Sequence, residues 1–171
     1  MTGANKGTSK LLESVMTIDN ADASVATKNR EDLTTLDYDA IVIGAGFAGL
    51  ALIHYLRKLD LNVRVFDRAS DVGGTWAWNH YPGAATDSES YYYCLTFSPE
   101  LLQEWSWTKR YPGREETQSY MRFVAHKCDM WPHIQLNTEI VEAQYLENQG
   151  HWQVTTGDGS VFTCKYFISG M

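Results

Sequence analysis

The amino-acid sequence predicts an α/β fold built around a parallel sheet. An apolar run at Asp39–Ile43 leads directly into the glycine-rich turn Gly44–Gly49, as a buried parallel strand leads into a helix. Apolar residues then recur at helical spacing, and the β-rich stretch Leu61–Asp67 follows. We therefore expect a strand, a turn, a helix over Phe47–Leu59 and a second strand. The helix should cross between the two parallel strands in the right-handed sense.

The second half of the chain predicts one further helix and a series of strands. Residues 68–93 carry glycine and proline breakers and are interpreted mostly as loop. An amphipathic helix is expected over Glu115–Trp131, ended by Pro132. A small antiparallel element from about Ile140 to Thr156 should sit on the sheet. Short β-type runs with turn signals between them occur at Ile134–Leu136, Ile140–Leu146, His151–Thr155 and Val161–Ile168.

The first 36 residues differ from the rest of the chain. They are polar, mixed in charge and free of aromatic side chains, so they bury too little apolar surface to offset the entropy of ordering them. The sequence predicts a flexible polar leader over residues 1–36, with room for a short helix around Leu11–Met16. Residues 37–171 are then expected to form one domain, which is long enough to bury a core.

The charge balance argues against nucleic-acid and membrane partners. The chain has 14 Lys and Arg against 21 Asp and Glu, a net charge of −7. It has no basic run and no apolar stretch of about 18 residues. The cysteines form no C-x-x-C pair, which indicates reduced thiols in a cytoplasmic protein, and the histidines lack metal-site spacing. The three cysteines are Cys94, Cys128 and Cys164.

The glycine turn has the spacing G-x-G-x-x-G and an acid at the end of the next strand. Gly44 permits a tight turn, Gly46 lets backbone amides approach a pyrophosphate, and Gly49 lets the helix pack closely. Asp67 lies 23 positions after Gly44, near the spacing of a carboxylate that accepts the ribose hydroxyls of an adenosine. The amides between the glycines would face the anion, at the positive end of the helix dipole, from Ala45, Phe47 and Ala48.

This turn fits either FAD or NAD. The Asp67 carboxylate would repel a 2′-phosphate, so the turn is not expected to hold NADP, although the neighbouring Arg68 weakens that argument. The structural alternative is a tight turn without a ligand. The residues that follow the second strand separate these possibilities.

A longer motif follows the second strand. Gly74 and Trp76 precede an aromatic-Pro-Gly at Tyr81–Gly83, and Asp87 comes four positions later. This arrangement resembles a signature of the flavin-dependent Baeyer–Villiger monooxygenases, and the resemblance extends from about Tyr38 to the end of the chain. It is more specific than the glycine turn, because several residue types are matched at fixed spacing.

The resemblance implies a Rossmann-like FAD-binding domain and a chemistry that uses two nucleotides. In that family NADPH reduces FAD, and molecular oxygen is then inserted beside the carbonyl of a ketone to give an ester or lactone. The residue that matches Asp87 helps place an arginine near the flavin, which makes Asp87 the catalytic candidate. The cofactor-binding residues that the resemblance and the turn together imply are Gly44, Ala45, Gly46, Phe47, Ala48, Gly49, Asp67, Gly74, Thr75, Trp76, Ala85, Thr86, Asp87, Tyr93 and Ile140.

Some features of that family do not occur in the sequence. A second glycine-rich turn for NADPH, the Phe-x-Gly-x-x-x-His fingerprint and the catalytic arginine are absent. We therefore expect an incomplete domain, truncated at its C-terminus, that does not oxidise ketones alone. The alternatives are a non-catalytic remnant, or part of an N- or S-oxidising flavin monooxygenase, against which the spacing from Tyr81 to Asp87 argues. The tryptophans interpreted as packing residues are Trp78, Trp105 and Trp107.

Overall fold

A six-stranded sheet organises the domain in this computed structural model, which describes residues 35–170. Residues 1–34 of the expected leader, which include its short helix, lie outside the described residues. The strands are ordered β3-β2-β1-β6-β5-β4; β3, β2, β1 and β6 pair in parallel, and β6, β5 and β4 pair antiparallel. The predicted α/β fold, with a parallel sheet and an antiparallel element, is confirmed. The strands are β1 Tyr38–Ile43, β2 Val63–Phe66, β3 Ile134–Gln135, β4 Ile140–Leu146, β5 His151–Thr156 and β6 Val161–Ser169.

The helix after the glycine turn begins where the sequence predicts and ends two residues early. This helix, α1, spans Phe47–Arg57, because Asp60 adopts a left-handed φ of 56° and the Leu61 amide donates back to the Leu56 carbonyl at 3.2 Å. Leu59, expected on the apolar face, is 68% exposed. The other α-helices of the described residues are α2 Thr75–Trp78, α3 Pro99–Glu104 and α4 Arg114–Lys127. None of them is long and apolar enough to cross a membrane.

The C-terminus of α4 is set by a left-handed residue and not by the proline. The helix ends at Lys127, Asp129 has a φ of 49°, and the Met130 amide donates to the Ala125 carbonyl at 2.9 Å. This is the closure that a left-handed residue gives to a helix end. The expectation that Pro132 ends the helix was wrong, since that proline lies in a separate 3₁₀ turn, Trp131–His133.

The two faces of the parallel strands carry two apolar clusters. Ala40 and Val42 face α1 and α4, whereas Ile41, one position out of phase, packs with Phe66 on the opposite face. On that second face, Phe66 of β2 packs against Phe162 of β6, with ring centroids 5.2 Å apart. The antiparallel element therefore covers this face while remaining hydrogen-bonded to the sheet through β6.

Candidate functional site

A cavity of about 620 Å³ opens where β1 and β2 end. In an open parallel sheet, ligands bind outside the carboxyl ends of the strands, and the volume lies in the range of ligand-binding clefts. Its walls come from the glycine turn, the end of β2, the entry to α2 and the β3–β4 connection, together with Tyr93 and Gly170. The expected cofactor-binding residues that line it are Gly44, Gly46, Phe47, Asp67, Gly74, Thr75, Trp76, Tyr93 and Ile140.

Two glycine pairs explain the shape of the turn. A Cβ on Gly49 would lie 1.9 Å from the Gly44 carbonyl oxygen, so only glycine allows α1 to begin this close to the turn. Gly46 faces Gly74, whose φ is +52°, and a Cβ on Gly74 would lie 3.0 Å from the Gly46 Cα. The two loops therefore meet backbone to backbone at the floor of the cavity.

The N-terminus of α1 carries amides that no side chain caps. Gly46 is the N-cap, no side-chain hydrogen bond caps the helix, and its first turn holds no acidic residue. The first backbone bond of the helix runs from the Leu50 amide to the Gly46 carbonyl, at 3.0 Å. Amides before Leu50, beginning at Phe47, have no acceptor within the helix. They supply partial positive charge next to the cavity, which suits an anionic group.

Asp67 is fixed by the backbone on both sides of the cavity. Its side chain is buried, and its two carboxylate oxygens accept from the Ala45 amide at 2.6 Å and the Ala69 amide at 2.8 Å. The main chain of Asp67 also accepts from the Thr138 amide, at 2.9 Å. Each carboxylate oxygen has a second lone pair, so the group can still accept from a ligand hydroxyl. The Ala45 amide, expected to face an anion, instead donates to Asp67.

An aromatic wall closes one end of the cavity. The Trp76 indole N–H donates to the Tyr93 hydroxyl at 3.0 Å, and the two rings meet edge to face at 5.7 Å. Phe47 meets Tyr93 edge to face as well, at 5.0 Å. Trp76 is 8% exposed and lines the cavity, so its ring forms part of this wall. Such a wall can pack against a flat ring system.

The segment that carries Asp87 stands apart from the lining of the cavity. Ala85 pairs with Gly113 in an isolated bridge, and the buried Thr86 donates its amide to the Pro112 carbonyl at 3.0 Å. Asp87 is exposed and accepts from the Ser88 hydroxyl. The structure holds this segment against the N-terminus of α4. Of the expected residues, those that do not line the cavity are Ala45, Ala48, Gly49, Ala85, Thr86 and Asp87.

The cavity contains residues that the sequence analysis did not select. Trp78, interpreted there as a packing residue, is 50% exposed and lines the cavity together with Arg68 and Glu139. Gly170 also lines it, and its amide donates to the Ile43 carbonyl at 2.8 Å. The glycine at the end of the last strand was a usable signal, whereas Arg68 and Glu139 belong to no motif. Trp105 and Trp107 do pack against the core, on Tyr120.

Comparison with known proteins also identifies the segment around the glycine turn as part of a Rossmann-like nucleotide-binding domain. Residues 42–105 match the family described as NAD(P)-binding Rossmann-like domain. The chain is 44% identical over 137 residues to an acetone monooxygenase (methyl acetate-forming) of Gordonia sp. strain TY-5, covering 80% of this chain and 26% of that protein. It is also 44% identical over 149 residues to a Baeyer–Villiger monooxygenase of Pseudooceanicola batsensis, covering 86% and 27%.

An N-oxidising enzyme is equally similar. The chain is 44% identical over 135 residues to a phenazine N-monooxygenase of Lysobacter antibioticus, covering 78% of this chain and 25% of that protein. Identity over this segment therefore does not separate ketone oxidation from nitrogen oxidation.

Solved structures of larger enzymes superpose on this domain. An oxidized steroid monooxygenase bound to NADP matches with a TM-score of 0.75 at 42% identity, over 78% of this chain and 26% of that one. A structure described as an OTEMO complex with FAD and NADP matches with a TM-score of 0.76 at 34% identity, over 80% and 26%.

The fold and the cavity define a Rossmann-like nucleotide-binding domain, with the glycine turn and Asp67 at the expected strand ends. The relatives identify the protein family more closely. The chain is homologous to part of the flavin-dependent Baeyer–Villiger monooxygenases. It spans about a quarter of the length of the relatives it matches.

Proposed function

We propose that this chain is the FAD-binding portion of an NADPH- and oxygen-dependent monooxygenase that inserts an oxygen atom next to a ketone carbonyl. The observation that carries the proposal is the cavity itself. It joins an uncapped helix N-terminus, the buried Asp67 carboxylate and an aromatic wall along one continuous surface. A dinucleotide with a flat ring system offers a complementary group to each: a pyrophosphate, a ribose and a flavin.

The residues present fit FAD in their chemistry. The amides of the α1 N-terminus would hold the pyrophosphate, and Asp67 would accept ribose hydroxyls without moving, because its oxygens are already anchored. Gly46 and Gly74 allow the two loops at the floor of the cavity to meet backbone to backbone. Trp76 and Tyr93 would border the flavin ring. The Asp67 carboxylate beside the ribose would repel a 2′-phosphate, and the adjacent Arg68 reduces this repulsion.

When bound, FAD would take hydride from NADPH and activate molecular oxygen, which is the chemistry that this chain's residues serve. We propose that Asp87 acts at the boundary with the nicotinamide nucleotide, together with Ala85 and Thr86. The Thr86 amide donates to the Pro112 carbonyl, and Ala85 pairs with Gly113 in an isolated β-bridge. These contacts present the exposed Asp87 carboxylate on a fixed backbone, where it can orient a cationic group of another part of the protein.

The second candidate function is oxidation of a nitrogen atom, favoured by the similarity to the phenazine N-monooxygenase. The same FAD site would serve either reaction, because substrate selection depends on surfaces beyond this cavity. The signature from Tyr81 to Asp87 supports the ketone reaction.

A cytoplasmic location is also proposed, because the three cysteines are free thiols in the described structure.

The first experiment tests FAD binding by the 171-residue chain. FAD, ADP and FMN are titrated into the purified chain, and binding is followed by flavin fluorescence and by calorimetry. We expect saturable binding of one FAD, with ADP competing for the site. Failure of both FAD and ADP to bind would contradict the proposal.

The second experiment tests the reaction. Residues 38–170 replace the matching segment of the Gordonia acetone monooxygenase, and the graft is supplied with NADPH and acetone. Methyl acetate formation is expected. A graft that binds FAD but forms no methyl acetate would contradict the proposed function.

A further inference from the structure

Arg68 bridges two walls of the cavity. It follows Asp67 directly, and its guanidinium lies over the Trp78 indole, 4.9 Å from the ring centroid. The guanidinium also pairs with the Glu139 carboxylate at 3.7 Å. Arg68, Trp78 and Glu139 all line the cavity, although they belong to three different segments. The arginine therefore extends across the opening at the Asp67 end.

These two contacts contribute too little to the stability of the fold to account for the position of Arg68. The Arg68 and Glu139 side chains are 65% and 59% exposed, and ion pairs this exposed contribute little to stability. A cation over an exposed aromatic ring contributes modestly as well. The segments that they join are already tied by backbone bonds, from the Thr138 amide to Asp67 and from the Asn137 amide to Ala69, both 2.9 Å. Arg68 is thus free to respond to a ligand.

We infer that Arg68 retains the adenosine end of the bound dinucleotide by stacking its guanidinium over the adenine at the mouth of the cavity. This inference rests on the proposed function, because it requires an adenosine at Asp67. A planar guanidinium stacks on flat π systems and is weakly hydrated. Trp78 and Glu139, from two different segments that line the cavity, both contact it. The charge on Arg68 also offsets the two carboxylates, Asp67 and Glu139, that flank the site.

The inference makes Arg68 a positioning residue whose effect depends on adenosine. FAD and ADP both carry the adenosine, whereas FMN carries the flavin and a phosphate without it. Removal of the Arg68 side chain should therefore weaken FAD and ADP and leave FMN unchanged. Loss of a solvent-exposed cation–π contact corresponds to an affinity about fivefold weaker.

The test uses the purified 171-residue chain and three ligands. Dissociation constants for ADP, FAD and FMN are measured by calorimetry for the unaltered chain and for Arg68→Ala and Arg68→Lys. The rate of FAD release is measured after dilution into an apoflavoprotein trap. We expect Arg68→Ala to weaken ADP and FAD about fivefold and to speed FAD release by a similar factor. Arg68→Lys should recover less than half of the loss, since lysine lacks the planar group.

Arg110→Ala is the matched control. Arg110 has the same kinds of partner, the Glu89 carboxylate and the Tyr111 ring at 5.8 Å, yet it does not line the cavity. Its removal changes the net charge equally and should leave all three affinities unchanged. Equal ADP affinity in Arg68→Ala and the unaltered chain overturns the inference and leaves the FAD site standing, as does an equal loss for FMN. If the unaltered chain binds neither ADP nor FAD, the proposed function fails and this inference with it.

Discussion

The buried Asp67 carboxylate has a structural role that can be measured without any ligand. Its two oxygens accept from the amides of Ala45 and Ala69, at 2.6 and 2.8 Å. Asp67→Asn keeps one acceptor oxygen and replaces the other with an N–H₂ group, so one buried amide faces a donor. A hydrogen bond to a charged group contributes roughly 1.5–3 kcal/mol. We therefore expect the free energy of unfolding to fall by about 2 kcal/mol.

Urea unfolding of the ligand-free chain measures this loss. With a denaturant slope of about 2 kcal/mol per molar urea, the midpoint should fall by about 1 M. Tryptophan fluorescence is a suitable signal, because Trp76 lies beside the same cavity. Asp87→Asn is the control, since its exposed carboxylate accepts from the neighbouring Ser88 hydroxyl and should change the free energy by less than about 0.5 kcal/mol. Equal midpoints for the unaltered chain and Asp67→Asn would refute the assigned hydrogen bonds.

Further predictions concern the turn, the Asp87 segment and a buried tyrosine. Gly49→Ala should lower the urea midpoint strongly or prevent folding, because the new Cβ would lie 1.9 Å from the Gly44 carbonyl oxygen; circular dichroism measures this, and a native-like midpoint would contradict it. In the grafted acetone monooxygenase, Asp87→Ala should keep its flavin absorbance and lose methyl acetate formation; a normal ester yield by gas chromatography would exclude the proposed role. Burial raises the pKa of Tyr120 from 10.0 to about 12, so its neutral form stabilises the fold below pH 10, and this contribution is lost as the pH rises towards 12. Tyr120→Phe should be less stable than the unaltered chain at pH 8, because the Leu95 amide loses its acceptor. Between pH 9.5 and 11.5 its urea midpoint should fall by less than that of the unaltered chain. A parallel fall in the two midpoints would contradict the pKa shift.

The local order of elements at the glycine turn could be predicted because each step has a direct physical cause. The apolar run before Gly44 requires burial on both faces, and Gly49 is required by the close approach to the turn. The helix begins at Phe47 as expected. Its end could not be predicted, because a left-handed Asp60, and not a glycine or proline, reverses the chain.

The site was predictable where it depends on backbone and unpredictable where it depends on side chains from distant segments. The glycines and Asp67 lie together because consecutive parallel strands end at one edge of the sheet. Glu139 reaches the cavity only because β3 pairs with β2, a contact between residues far apart in the sequence. Arg68 was seen only as a neighbour of Asp67, and its position over Trp78 depends on the fold of α2.

Strand β6 constrains where the length of this protein can vary. Its first half pairs with β5 in one direction and its second half with β1 in the other, and Cys164 pairs with both Tyr38 and Trp152. A residue inserted here would reverse the facing of the side chains in one half of the strand relative to the other half. The turns at Gly150 and Gly159 differ, since a Cβ at either would meet nothing within 4 Å. Insertions, affinity tags and proteolytic nicks should therefore be tolerated at these two turns, while β6 keeps a fixed length.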